Sequence, residues 1–189
     1  MSAGPDPSVT PAGTPSVTPA GTLTATLADT LSRTPFFGGL PPETMERLVG
    51  MLVEREFPAR STVFREGETG RSMYVVKAGE LVANQAGRSG NAVRLMRFFE
   101  GDFFGETTLI EMQPRPFTVL VERDARLWEL SNMDLYQLYR SDPKGYVLVL
   151  QNINRELCRR LRRAGNRITE VADENDDERT QIRGDGPKR

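Results

Sequence analysis

"FREGETGRSMYVVKAGEL", residues 64–81, sets short runs of β-branched and aromatic residues between glycines. Met73-Tyr74-Val75-Val76 and Leu81-Val82 read as strands, with Gly67, Gly70 and Gly79 as breaks. The same texture extends outward from Ser61 to Leu130. Its further runs are Thr62–Phe64, Val93–Met96, Phe117–Val121 and Leu127–Leu130, with breaks at Gly87–Gly90 and Gly101-Asp102. Short strands at roughly ten-residue spacing predict an all-β sandwich or barrel.

On either side the period becomes helical. Leu23, Leu27 and Leu31 mark one face of a short helix over 23–33 that stops at Pro35. A second helix starts at Pro41-Pro42-Glu43, buries Met45, Leu48, Val49 and Leu52, and ends before Pro58. Ser131 and Asp134 give a capping-box signal for a short helix through Leu138. Asp142-Pro143 opens a long helix whose apolar residues are Leu150, Ile153, Leu157, Leu161, Ala164, Ile168 and Val171. Such a narrow seam serves a homodimer or packs on the chain's own barrel. PSVTPAGT occurs at 7–14 and again at 15–22. Its composition cannot build a core, so residues 1–34 are expected to be a disordered arm. The expected domain is 35–172, followed by a charged disordered tail at 173–189.

The 189 residues carry a formal net charge of -1, with 38% hydrophobic and 27% charged residues. That balance gives no electrostatic case for a nucleic-acid partner. Cys158 is the one cysteine and there is no histidine, which excludes an internal disulfide and a histidine-based metal or catalytic site. The first 22 residues lack the pattern of a secretion signal, and no apolar run is long enough to span a membrane. These features predict a cytoplasmic, non-enzymatic protein without membrane contact. Cys158, beside Leu157, reads as an inert buried thiol, and Trp128 as a core residue. The arginines of "RELCRRLRRAGNR" (155–167) read as a solvated helix face.

The segment "GDFFGETTLIEMQPRPFTV", residues 101–119, carries the chemistry. An anion cradle needs inward backbone N–H groups and a fixed cation. Gly105 permits close backbone approach, and a helical turn over Thr107–Ile110 would offer free N–H groups. Glu106 suits sugar hydroxyls, and Arg115 can fork onto phosphate oxygens. Spacing alone leaves two readings, this cradle or a solvated loop.

Residues 64–81 together with 98–119 ("FFEGDFFGETTLIEMQPRPFTV") resemble the cyclic nucleotide-binding domain family. That family includes the catabolite activator protein, the regulatory subunit of protein kinase A and cyclic nucleotide-gated channels. The resemblance covers about Phe36 to Arg163 and rests on the G-x-x-G-x-x-M-Y turn, Gly79-Glu80, the G-D-x-F-G-E run and the arginine in register. It implies a mainly β fold, a jelly-roll β-barrel with helices at both ends and a long C-terminal helix. It implies a site in which Glu106 accepts the ribose 2′-hydroxyl and Arg115 binds the cyclic phosphate. Gly105, Glu106 and Thr107 would lie with their backbone along the ligand, and Gly67 and Gly79 would be hairpin glycines. The base contact would come from Asn152, Arg155, Arg159 or Arg160 on the long helix. The implied ligand is cyclic AMP or cyclic GMP, with no other cofactor, and the implied role is a sensor acting through a protein partner.

The departure is Pro116-Phe117, where the family places small residues. Proline has no N–H, so one phosphate donor is lost, worth roughly 1.5–3 kcal/mol or about 10- to 100-fold in affinity. Phe117 either fills space near the phosphate or packs away from it. The alternative role is therefore a degenerate domain that serves as an interaction or dimerisation module. The family's transcription factors carry a helix-turn-helix after the long helix, and the residues following Ala172 lack the periodicity for one.

Overall fold

The computed structural model describes the backbone at residues 17–19, 31, 34–87 and 90–184, and side chains at 31, 34–87 and 90–173. A 3-10 turn at Pro35–Phe37 leads to helix α1 (Pro42–Met51). Strands β2 (Val53–Phe57), β3 (Thr62–Phe64), β4 (Ser72–Ala86), β5 (Ala92–Phe98) and β6 (Phe103–Phe104) follow. Helix α2 (Glu106–Glu111), strand β7 (Thr118–Ser131) and helices α3 (Asn132–Ser141) and α4 (Pro143–Gly184) complete the order, with β1 (Val17–Pro19) ahead of them all. The seven strands are joined in the order β1-β2-β7-β4-β5, with β3 also on β7 and β6 on β4. All of these pairings are antiparallel. This is the mainly β fold with flanking helices and a long C-terminal helix.

Two pairs of runs that read as separate strands are continuous. β4 spans 15 residues and β7 spans 14, paired from Ser72↔Ser131 to Asn84↔Thr118. Register shifts between Val76 and Leu81 bend the ribbon, and extra residues of this kind increase twist and curvature. Gly79 sits within this bend, not in a hairpin turn. Its φ is +102°, and a Cβ there would lie 2.6 Å from Ala125 Cα on β7. Gly67, by contrast, has φ +81° with open space around it, as a turn requires.

Three other expectations differ from the structure. Val17–Pro19, within the arm expected to be disordered, pairs with β2 through Val17↔Arg55 and Pro19↔Val53, since β2 offers an open edge to a β-branched V-T-P segment. The tail expected from 173 instead continues α4 to Gly184, with no proline between Pro143 and Pro187 to stop it. Val53–Phe57, taken into the helix-ending region, is a strand on β7. The helix expected over 23–33 lies outside the described residues except Leu31, which is helical and fully buried.

Both helix-start signals are realised. Ser131 Oγ accepts from Asp134 N–H at 3.2 Å while Asp134 Oδ2 accepts from Ser131 N–H at 2.8 Å. Asp142 Oδ1 accepts from Gly145 N–H at 2.9 Å at the start of α4, and Thr44 Oγ1 donates to its other oxygen at 2.5 Å. That second bond ties α4 to α1, and it holds the Asp142 carboxyl below the usual range. Asn152 Nδ2 donates to Phe36 O (3.0 Å) and Gly38 O (2.8 Å), so α4 is also fixed to the 3-10 turn.

The core has two parts. One, at the helical end, gathers Phe36, Leu48, Met73, Trp128, Leu138 and Ile153. The other fills the barrel with Phe64, Leu81, Phe98, Phe104, Val119 and Leu127. Phe103 belongs to the first and Phe104 to the second, because successive strand side chains point to opposite faces. β6 thus pins the two cores together and sets down Gly105 and Glu106 at their junction.

Candidate functional site

Gly105 has φ +82° and caps α2. A Cβ at this position would lie 2.6 Å from Arg115 Nη1 and 3.2 Å from Ser72 O, so glycine is what lets the arginine in. Gly70 does the same from the other side, since a Cβ there would meet Arg115 Nε at 2.3 Å. The sequence shows Gly70 only as a turn residue; its work is to clear a channel for the guanidinium.

Arg115 is buried to 4% exposure beneath this channel. Nη1 donates to Gly105 O (3.2 Å) and Thr108 Oγ1 (3.4 Å), and Nη2 donates to Ser72 O (2.7 Å). Its guanidinium carbon stands 4.0 Å over the Phe64 ring, a cation–π geometry. Its backbone is clamped too, with Arg115 N–H donating to Glu68 O at 2.8 Å and Gly67 N–H to Arg115 O at 2.9 Å. Burial lowers the pKa of Arg115, and Tyr74 and Glu68 oppose that shift. Three of the five N–H bonds of this side chain are used inside the protein.

Phe117 packs on the barrel core, 6.2 Å from the Phe64 ring on which Arg115 rests. It is half-buried, with its ring tilted against that of Phe64. Pro116 is exposed, and its carbonyl accepts from Gln85 Nε2 at 3.2 Å. Thr107 is half-buried in the first turn of α2.

Glu106 is also buried, at 2% exposure, and faces the other wall. Its Oε1 accepts from Arg160 Nη1 at 2.9 Å. Arg160 reaches in from α4, donates through Nη2 to Phe103 O, and pairs with Glu156 Oε1 at 3.3 Å. Its guanidinium lies 5.1 Å from the Phe103 ring centre and 5.7 Å from that of Phe98. Burial pushes the Glu106 carboxyl up, and the Arg160 charge only partly counters it.

Of the four polar α4 residues singled out by sequence, the structure brings only Arg160 to Glu106. Asn152 binds the 3-10 turn, Arg155 donates to Asn152 Oδ1 at 2.8 Å, and Arg159 pairs with Glu156 at 3.1 Å. Arg160 therefore leaves the solvated arginine face expected of this stretch. Cys158, expected to be buried, is exposed, because it lies off the face that carries Ile153. Trp128 is a core residue, 2% exposed. No described helix is long and apolar enough to cross a membrane.

Residues 54–142 match the family model described as "Cyclic nucleotide-binding domain". The chain is 29% identical over 131 residues to the Cyclic AMP receptor protein of Thermus thermophilus, covering 69% of this chain and 59% of that one. It is 29% identical over 96 residues to the cAMP-dependent protein kinase regulatory subunit of Aspergillus niger, covering 51% of this chain and 23% of that one. The crystal structure of the Thermus thermophilus Catabolite Activator Protein superposes with a TM-score of 0.65 at 27% identity, over 74% of this chain and 63% of the other. The chain thus spans about three fifths of its Thermus relative, at 59%.

Proposed function

We propose, from the premise that this chain carries a cyclic nucleotide-binding domain, that it is a cyclic AMP or cyclic GMP sensor that regulates a protein partner. A regulatory role is what its receptor and kinase-regulatory relatives share. The reading rests on one observation above the others: Glu106, the acceptor a ribose 2′-hydroxyl would use, is bonded to Arg160 of the long helix. A nucleotide whose phosphate meets Arg115 and whose sugar meets Glu106 competes with α4 for that carboxylate. Binding therefore changes the contacts of α4, which is the differential interaction a ligand needs to shift a population. Leu161 (74% exposed) and Ile168 (70% exposed) on the same helix supply the surface for a protein partner or a second copy.

Pro116 favours a second reading, in which the domain has lost its nucleotide and works only as an interaction module. Calorimetry of the full chain against cyclic AMP and cyclic GMP separates the two, with hydrogen exchange of residues 143–173 as a second readout. We expect saturable heat, weaker by about 10-fold in Glu106→Gln, together with altered exchange around Arg160. Absence of heat at millimolar ligand would leave the interaction module as the function.

A further inference from the structure

We infer that the outer edge of β2 is a strand-binding site for the Val-Thr-Pro core of the octapeptide repeat, and that Val9-Thr10-Pro11 fills it in alternation with Val17-Thr18-Pro19. The inference is independent of the nucleotide reading. β2 pairs with β7 on one side. On the other it pairs with Val17–Pro19, through Val17↔Arg55, Thr18↔Glu54 and Pro19↔Val53. That occupant belongs to the second of two identical segments, since PSVTPAGT runs over 7–14 and again over 15–22.

Prolines bracket the paired residues, Pro15 and Pro19 in the second copy and Pro7 and Pro11 in the first. A proline gives a ladder no N–H, so within sheets it is confined to edges and strand ends. The strand formed by P-S-V-T-P is therefore short, suited to an edge and fixed in phase. A one-residue slip turns every side chain to the other face of the sheet. A two-residue slip in either direction puts a proline, Pro15 or Pro19, opposite Arg55. A slip of the repeat length restores the pairing in full, with Val9 opposite Arg55, Thr10 opposite Glu54 and Pro11 opposite Val53.

The edge cannot tell the copies apart by sequence, because the preceding Pro-Ser and the following Ala-Gly-Thr are also the same. The charges of β2 do not choose either, since Arg55 is answered by Glu129 at 2.7 Å and Glu54 by Lys77 at 2.8 Å. What differs is the tether to Leu31, which is fully buried in the core at the helical end. The tether is residues 20–30 for the second copy and 12–30 for the first, 11 residues against 19. Loop closure depends on length to roughly the three-halves power, so the longer tether disfavours the first copy by only about 2-fold. A bare sheet edge is a template for pairing with other chains. Two near-equivalent strands on one arm keep this edge covered when either copy leaves it.

The test is hydrogen exchange of those amides of Val53–Arg55 that face β1, in the full chain and in three variants. Val17→Pro/Thr18→Pro disables the second copy, Val9→Pro/Thr10→Pro the first, and the fourfold combination both, since each pair of prolines removes whichever N–H faces β2. The substituted positions precede every residue of the two cores. We expect protection to fall by about 3-fold at most with the second copy disabled, by less than about 2-fold with the first disabled, and to vanish in the fourfold variant. A second-copy variant as unprotected as the fourfold one overturns the inference, because the edge then takes 17–19 alone. Protection that survives in the fourfold variant, or is missing from the full chain, overturns it as well. Protection in the second-copy variant that rises with protein concentration also overturns it, in favour of strand exchange between two chains.

Discussion

Arg115 and Glu106 are nine residues apart, both buried, and they are held in opposite ways. Arg115 is fastened to the barrel by carbonyls of Ser72 and Gly105, by Thr108 and by the Phe64 ring. All of these belong to β3, β4 and the α2 segment, which share one antiparallel frame. Glu106 instead takes its cation from Arg160, 54 residues further along, on a helix that is exposed from Leu161 to Asp173. Arg115 is built into the barrel frame, and Glu106 is shared with the long helix. Under the proposed function, a pocket organised this way senses with one wall and reports with the other.

The comparison breaks most easily at Arg115. If the guanidinium is structural as well as ligand-facing, Arg115→Ala leaves three bonded groups without a donor and a gap over Phe64. We expect a loss of about 3 kcal/mol in urea unfolding at neutral pH. Glu106→Gln should change stability far less, since burial already disfavours its charge. Stability within about 1 kcal/mol of wild type for Arg115→Ala would mean that the two walls are equally dispensable to the frame.

The second, smaller effect lies at Arg160. Arg160→Ala removes the internal competitor for Glu106, so cyclic AMP should bind about 10-fold more tightly, near 1.4 kcal/mol. The same variant should lose the ligand-dependent change in hydrogen exchange along α4, because the shared contact is gone. Weaker binding in Arg160→Ala would show that Arg160 serves the nucleotide directly rather than competing with it.

These two walls also differ in how far the sequence exposed them. Glu106 and Arg115 could be singled out together because glycine, carboxylate and arginine lie in one short segment, although spacing alone left a solvated loop open and the family resemblance decided between the two. The capping box at Ser131 and the Asp142-Pro143 start were readable for the same reason, as local backbone chemistry. Arg160 was one of four polar α4 candidates, and nothing local separates it from Arg159, since the deciding contact spans 54 residues. Gly70 looked like a turn because only the folded channel shows what its missing Cβ makes room for. β2 was missed because V-E-R-E-F hides its alternation. Its arginine and a glutamate are answered across the sheet and between strands, Arg55 by Glu129 at 2.7 Å and Glu54 by Lys77 at 2.8 Å. The division of β4 into two runs failed at Gly79, where a bend within a strand carries the same residue as a turn.

The finest distinction is the charge of Glu106 itself. Burial is the largest influence on it and raises its pKa, with Arg160 the largest opposing one. The folded state then holds the proton more tightly than the unfolded state. The stabilising contribution of this group is therefore complete below its ordinary value of 4.5 and is lost as pH rises through the raised value. Other carboxylates add their own acid dependence, so the informative quantity is the difference between wild type and Glu106→Gln measured across pH. That difference should grow in favour of the glutamine variant from about pH 4.5 upward and then level off. In an Arg160→Ala background the growth should be larger, because the opposing charge is absent. A glutamine variant that becomes relatively less stable as pH rises would mean that the pair with Arg160 outweighs burial, and that the reporting wall is as firmly built as the sensing one.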